Sequence, residues 1–365
     1  MKVIISGGGT GGHVFPAIAI ADALKKIRPS VELLFVGAEN KLEMQKVPQA
    51  GYSIIGLDIQ GVQRKISLSF FITIYKFIAS IIKCLSILRS FKADVVVGVG
   101  GYASSAMMKA AALKKIPILI QEQNSFPGIT NKMSSKDAKK ICVAFNGMEK
   151  FFPKEKLVFT GNPVRHGLTL TCSKTDAIQY FQLEEDHKTI AILGGSLGAR
   201  SLNEWMKKNT ENIRSLGQVQ WIWQVGKMYE QEFSQCETAK LENVKILSFI
   251  DRMDFVYQIA DVCVCRAGAL TIAELIQTSS PSILVPSPNV AEDHQRKNAE
   301  SIVIHQAAEM VLDRDLNSQL WNRITSLIFD HSMLKQMQSN LALLKKDDAA
   351  LHIAHEIISL IPERE

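Results

Sequence analysis

The chain opens MKVIISGGGTGGHVFPAIAIADAL (residues 1–24), and its turn, Gly7-Gly8-Gly9-Thr10-Gly11-Gly12-His13, decides the fold. Val3–Ser6 before it is an apolar run of strand length. Ala17, Ile18, Ile20, Ala21 and Leu24 after it recur at helical spacing. Strand, glycine turn and helix together make a phosphate-binding opening, because the helix N-terminus offers unpaired N–H groups and a positive dipole end. Gly7, Gly9 and Gly12 fit G-x-G-x-x-G, and Glu39 is a candidate ribose ligand for a dinucleotide. Alone this fingerprint is weak, and it leaves His13-Val14-Phe15-Pro16 unexplained. A histidine in the first turn of that helix is placed for proton transfer or phosphate contact.

The alternation continues outward from this stretch. Strands are expected at Val31–Val36, Ser53–Leu57, Val95–Val99 and Ile118–Gln121. Helices are expected near Lys41–Ala50, over Leu68–Arg89 and over Ala103–Leu113. Near-continuous apolar strands alternating with helices predict a parallel sheet covered on both faces. The pattern restarts after Gly161-Asn162-Pro163, where proline interrupts regular pairing. Thr189–Leu193, Gly194-Gly195-Ser196-Leu197-Gly198-Ala199 and Ser201–Lys208 repeat strand, glycine turn, helix. Further strands are expected at Gln220–Gln224, Val244–Leu247, Val262–Cys265 and Ser282–Val285, and a final helix over Leu343–Ile361. The fold class is therefore α/β, with two doubly wound Rossmann-like domains. That agrees with 365 residues, long for a single core.

Charge is divided unevenly. Residues 1–161 hold 22 Lys and Arg against 10 Asp and Glu, a net of +12, while the whole chain carries +6, so the remainder carries −6. A basic first half suits an anionic partner: a diphosphate, a phospholipid surface or nucleic acid. Aromatic residues are not interleaved with the basic ones in a stacking pattern, which argues against nucleic acid. The six cysteines form no Cys-x-x-Cys pair and read as buried small hydrophobes in a reducing compartment. The eight histidines show no metal-ligand spacing. Met1-Lys2 leads straight into a strand and glycines, unlike a secretory signal. Ile66–Leu88 is the most membrane-like stretch, but Lys76 and Lys83 interrupt it, so no spanning helix is expected.

Other polar motifs fall at predicted strand ends. Gly98-Val99-Gly100-Gly101-Tyr102 is a second glycine turn in the first half. Gln121-Glu122-Gln123-Asn124 and Thr130-Asn131-Lys132 bring polar side chains to the same edge. In the second half, Ala269-Leu270-Thr271 opens a helix suited to a diphosphate. Glu274, one turn in, can accept two hydrogen bonds from a ribose diol. Asp293-His294-Gln295 begins another helix with groups suited to sugar hydroxyls.

Five of these motifs occur together in one order: Gly8–Pro16, Glu122–Asn124, Gly161–Arg165, Gly194–Ala199 and Ala269–Glu274. In this the chain resembles, over essentially its whole length, the MurG family of N-acetylglucosaminyltransferases. The resemblance implies a GT-B fold, two domains facing across a cleft. Residues 1–161 would form the acceptor- and membrane-side domain, joined by helix 343–365, and residues 162–342 the donor domain. It implies inverting transfer from UDP-N-acetylglucosamine to a muramyl-pentapeptide on undecaprenyl diphosphate, lipid I, at the cytoplasmic face of the cell membrane. An anionic membrane surface is expected, and no cofactor, metal or nucleic acid. Donor contacts carry over to Thr10, Gly11, Gly12, Asn124, Arg165, Ser196, Ile250, Ala269, Leu270, Thr271, Ile272, Ala273, Glu274 and Gln295. Acceptor contacts carry over to Gly9, His13, Gly100, Gly101, Tyr102 and Asn131, and catalytic roles to His13 and Glu122. The chain departs from the family at Gln121, where histidine is frequent, and in the Ala-Ser-Ser after Tyr102. Two rival readings are a dinucleotide oxidoreductase, which fails to explain Ala269–Glu274, and a non-catalytic sugar-nucleotide module of the same fold.

Overall fold

The structure is a computed structural model that describes residues 1–59, 68–164, 168, 173–195 and 197–361. Arg165, Ser196 and the stretch 60–67, which includes Arg64 and Lys65, lie outside the described residues. The chain divides into two units, Met1–Arg165 with Lys346–Glu365, and His166–Lys345.

The first unit runs β1 (Lys2–Ser6), α1 (Gly11–Ile27), β2 (Glu32–Ala38), α2 (Glu43–Gln49), β3 (Ile54–Leu57), α3 (Leu68–Phe91), β4 (Val95–Gly98), α4 (Tyr102–Leu113), β5 (Ile118–Glu122), α5 (Ile129–Ser134), β6 (Lys140–Val143) and β7 (Leu157–Phe159). Among the described residues its sheet has seven parallel strands in the order β3-β2-β1-β4-β5-β6-β7. The second unit runs α6 (Lys174–Phe181), β8 (Lys188–Leu193), α7 (Arg200–Lys208), α8 (Thr210–Ser215), β9 (Val219–Gln224), α9 (Glu230–Phe233), β10 (Val244–Leu247), α10 (Met253–Ile259), β11 (Val262–Cys265), α11 (Ala269–Thr278), β12 (Ser282–Leu284), α12 (His294–Val303), β13 (Glu309–Met310), α13 (Trp321–Ile328) and α14 (His331–Leu344). Its described sheet has six parallel strands in the order β10-β9-β8-β11-β12-β13. A last helix, α15 (Ala349–Ile358), belongs to the first unit.

Strand alternation distributes the first unit's core to both faces of its sheet. Val3, Ile5, Val95 and Val97 join α1 (Ala17, Ile20, Leu24) and α15 (Ala350, Ile353, Ala354, Ile357). Ile4, Val36 and Val96 join the opposite cluster with Cys84, Leu88, Met107 and Met108 of α3 and α4. The second unit packs Trp205, Trp221, Trp223 and Phe233 with Ile190 and Ile192.

The stretch Leu343–Ile361, expected as one helix, is two. Asp348 caps α15 by accepting from the Leu351 amide at 3.1 Å, and the chain breaks between Leu344 and Ala349. Burial pushes the Cys84 and Cys263 thiols up to about 12, so both stay protonated as packing groups. No helix among the described residues is long and apolar enough to cross a membrane.

Candidate functional site

Each strand order reverses direction once. In the first unit β1 leads outward to β2 and β3, while β4 leads the other way to β5, β6 and β7. In the second, β8 leads to β9 and β10, and β11 to β12 and β13. Turns leaving adjacent strands at such a point go to opposite faces and open a crevice at the carboxyl ends, where open α/β sheets bind ligands. The glycine motifs leave β1, β4 and β8, and the Arg266–Gly268 loop leaves β11. Helices α1, α4, α7 and α11 begin there, and none has an acidic residue in its first turn. Their positive ends are thus not neutralised from within, whereas α6, α9 and α10 each carry acid there.

The two glycine turns of the first unit touch backbone to backbone. The Gly8 amide donates to the Gly100 carbonyl at 3.2 Å. At Gly101, φ is +91°, and a Cβ would stand 2.6 Å from the Gly8 carbonyl oxygen, so only glycine fits. His13 sits between the turns. Its Nδ1 lies 2.9 Å from the Gly8 carbonyl oxygen, which can only accept, so Nδ1 carries the proton and Nε2 is the ring's basic nitrogen. A Cβ at Gly100 would lie 2.8 Å from Nε2. The structure therefore gathers Gly9–His13 and Gly100–Tyr102 at one edge. Tyr102 is exposed there.

The amides of the first turn divide in direction. Gly7 donates to the Val36 carbonyl at 3.2 Å, Gly8 to Gly100, and Gly9 to Oε2 of Glu43 at 2.8 Å. Gly9 therefore turns its amide inward instead of offering it to a ligand. Glu43 had no role in the sequence reading.

Glu122, expected as a catalytic group, is buried with both oxygens engaged. Oε1 accepts from the Asn124 amide (3.0 Å) and side chain (3.2 Å). Oε2 accepts from the Gly128 amide (3.2 Å) and Asn131 Nδ2 (2.8 Å). Burial nevertheless raises its carboxyl above the usual range, against the pull of these donors. This geometry fits a residue that shapes the 122–131 loop, drawing Asn124 and Asn131 together, rather than one that touches a substrate. Gln121 donates to Asn162 Oδ1 at 3.0 Å, and Asn162 Nδ2 donates to the Gln123 carbonyl at 2.9 Å. This amide chain ties the Gly161-Asn162-Pro163 segment to the end of β5. Glu39 faces Lys83 at 3.6 Å, in an ion pair.

In the second unit, Gly268 caps α11, so the amides of its first turn have no carbonyl within the helix to receive them. Glu274 is buried one turn in, and Oε2 accepts from the Tyr257 hydroxyl at 2.9 Å. Burial and the Glu274 charge hold the Tyr257 phenol well above its ordinary value, so it remains a donor. Ile250 is buried just past β10. Gln295 Oε1 accepts from the Ser287 amide at 2.9 Å, which fixes the head of α12.

Arg266 ties these turns together. Nη2 donates to Ser201 Oγ at 2.7 Å in the first turn of α7. Nη1 donates to the Val285 carbonyl at 3.2 Å and pairs with Asp313, which also accepts from Ser201 Oγ at 2.6 Å. The sequence reading assigned no role to Tyr257, Ser201, Arg266 or Asp313.

Comparison with known proteins agrees with this geometry. Residues 3–143 match the glycosyltransferase family 28 N-terminal domain and residues 189–353 the corresponding C-terminal domain. The chain is 49% identical over 361 residues to the UDP-N-acetylglucosamine--N-acetylmuramyl-(pentapeptide) pyrophosphoryl-undecaprenol N-acetylglucosamine transferase of Flavobacterium psychrophilum, covering 99% of this chain and 98% of that one. It is 46% identical to the protein of the same name from Bacteroides fragilis, covering 99% and 96%. The crystal structure of Acinetobacter baumannii MurG superposes with a TM-score of 0.79 at 28% identity, covering 98% of this chain and 99% of that one. The chain belongs to glycosyltransferase family 28, and within it to the MurG enzymes.

Proposed function

We infer that the chain transfers N-acetylglucosamine from UDP-N-acetylglucosamine to N-acetylmuramyl-(pentapeptide) pyrophosphoryl-undecaprenol, lipid I, giving lipid II of peptidoglycan synthesis. The full-length identity to relatives of that name supports this activity. One observation carries the assignment of residues: both sheet reversal points are headed by glycine-lined or glycine-capped helix starts free of acid.

In this reading the second unit holds the donor. Ile250 meets the uracil through its backbone, Glu274 the ribose, Ala269–Thr271 with Ser196 the diphosphate, and Gln295 the sugar hydroxyls. Ile272 and Ala273 complete that turn. Thr10, Gly11, Gly12, Asn124 and Arg165 approach the donor sugar and diphosphate. His13, Gly100, Gly101, Tyr102 and Asn131 serve the acceptor. Gly9 serves through its backbone shape.

The chemistry is a single inverting displacement without a metal ion. The acceptor hydroxyl attacks the anomeric carbon while the bond to uridine diphosphate breaks. Amides at the α7 and α11 starts meet the negative charge that grows on the leaving diphosphate. Nε2 of His13 takes the hydroxyl proton, its basicity directed by the Nδ1–H bond to Gly8. Turnover of lipid I with UDP-N-acetylglucosamine, followed in the presence of a chelator, tests the whole reading. Loss of turnover with chelator and its return with magnesium would overturn the metal-free step, and absence of turnover would overturn the activity.

Peripheral attachment to an anionic membrane is proposed through α3. Ile72, Ile74, Tyr75, Ile78 and Ile82 are exposed along it. Lys76 and Lys83 are less available than expected, since they pair with Asp58 (2.8 Å) and Glu39 (3.6 Å). Apolar insertion therefore carries more of the binding, and charge less, than lysine count alone implies.

A further inference from the structure

Glu43 is a carboxylate where the reaction has no evident use for one. It begins α2, is 1% exposed, and stands against the turn that the acceptor reading assigns to a diphosphate. Oε2 accepts from the Gly9 amide at 2.8 Å, and Oε1 accepts from the Ala38 amide at 2.9 Å at the end of β2. Space is cleared for it on two sides. A Cβ on Gly8 would stand 2.1 Å from Oε1, and one on Gly37 would stand 2.5 Å from Glu43 Cγ. Gly8 in the turn after β1 and Gly37 on β2 thus make room for one side chain.

The consequence lies in the direction of the amides. Those of Gly7, Gly8 and Gly9 point inward, to Val36, Gly100 and Glu43. The next three belong to Thr10, the N-cap of α1, and to Gly11 and Gly12, its first residues, and the first amides of a helix have no carbonyl one turn back within it. Thr10 and Gly12 are exposed. Glu43 supplies the last of these partners before the helix begins. A charged acceptor binds an amide about twice as strongly as a neutral one and holds it in a narrow geometry. We propose that Glu43 is a positioning residue that sets the Gly9 peptide, so that the amides at the start of α1 and His13 are preset for the acceptor diphosphate. It acts through the turn and touches no substrate.

This inference rests on the reading of that turn as the acceptor site, and the experiment separates the two. Glu43→Gln keeps the volume but places an N–H against either the Gly9 or the Ala38 amide. The full-length protein is assayed for KM of lipid acceptor, KM of donor, kcat, melting temperature and inhibition by inorganic pyrophosphate. Expected for Glu43→Gln is a rise of about tenfold in acceptor KM, a matching loss of pyrophosphate inhibition, and donor KM within about twofold of wild type. Glu43→Asp, which retains the charge but is one methylene shorter, should recover part of the acceptor KM. A fall in kcat and both affinities that tracks only the melting temperature would make Glu43 a plain structural residue and overturn the proposal. So would an unchanged acceptor KM in Glu43→Gln alongside a raised one in His13→Ala. If pyrophosphate fails to compete with acceptor in the wild-type protein and His13→Ala leaves acceptor KM unchanged, the acceptor-site reading falls and the proposal with it.

Discussion

The Tyr257 hydroxyl donates to Glu274 Oε2 at 2.9 Å, both side chains being buried. The bond joins α10 to the second turn of α11 and fixes the rotamer of the carboxylate proposed to hold the ribose. Tyr257→Phe removes only this hydroxyl. A lost hydrogen bond to a charged group costs about 1.5–3 kcal/mol. The expected result is a higher donor KM with acceptor KM unchanged. With a donor analogue lacking the ribose hydroxyls, wild type and Tyr257→Phe should become equal. A persisting difference would show that Tyr257 acts elsewhere.

Arg266 holds α7, α11 and the end of β12 in one arrangement through Ser201, Val285 and Asp313. Lysine cannot reproduce its planar fork. Arg266→Lys should therefore weaken uridine diphosphate binding by about 10- to 100-fold while leaving uridine nearly unaffected. Calorimetry with both ligands reads this directly, and equal losses for the two would count against a role at the diphosphate. Asp313→Asn should be non-additive with Arg266→Lys, because the two share one network.

For His13, the bond from Nδ1 to Gly8 makes Nε2 the basic nitrogen. His13→Ala should reduce kcat by about 10²–10⁴-fold. An unchanged kcat with raised acceptor KM would make the ring a binding group instead.

Glu122 gives a pH-dependent stability. Burial raises its carboxyl in the folded state above the usual value. Folding then takes up a proton in the interval between the two values. The stability this contributes is complete below about pH 4, under the unfolded value, and is lost as pH rises through the folded one. Glu122→Gln forces an amide against the donors of Asn124, Gly128 or Asn131 and should cost about 1–3 kcal/mol. The deficit should narrow as pH rises through that interval, seen as converging melting temperatures. A gap that widens with pH would reverse the assignment.

On α3, Ile78 and Ile82 are exposed large apolar residues one turn apart. Ile78→Ser with Ile82→Ser should reduce binding to anionic vesicles more than Lys76→Glu does, since Lys76 is already paired with Asp58. Co-sedimentation at low and high salt distinguishes the two contributions. If Lys76→Glu causes the larger loss, electrostatic attraction dominates.

The architecture was readable because strand, glycine turn and helix each leave a local signature. Val3–Ser6 with Gly7–Gly12 and Thr189–Leu193 with Gly194–Gly198 announced both reversal points. The bracing residues left none, because their partners are far away in sequence. Glu43 meets Gly9 across 34 residues, Tyr257 meets Glu274 across 17, and Arg266 meets Asp313 across 47. Glu122 shows the same limit: its motif announces a carboxylate at a strand end, but not that neighbouring donors fill both oxygens. Strand β13, two residues long, is too short to leave a periodic pattern. The break before α15 falls in Lys345-Lys346-Asp347-Asp348, a charged run that also suits the solvated face of a continuous helix, so the capping Asp348 did not stand out.

Helix α15 packs Ile353, Ala354 and Ile357 onto the α1 face made by Ala17, Ile20 and Leu24, although all of the second unit lies between them in the chain. On the ribosome, the unit begun first is therefore finished last. While residues 166–345 emerge, α15 is not yet made, and that face of α1 lacks the cover that Ile353, Ala354 and Ile357 give it in the finished fold. The second unit needs nothing that comes after Lys345 to complete its sheet. Vectorial synthesis thus completes the second unit before the first, the reverse of the order in which they begin along the chain.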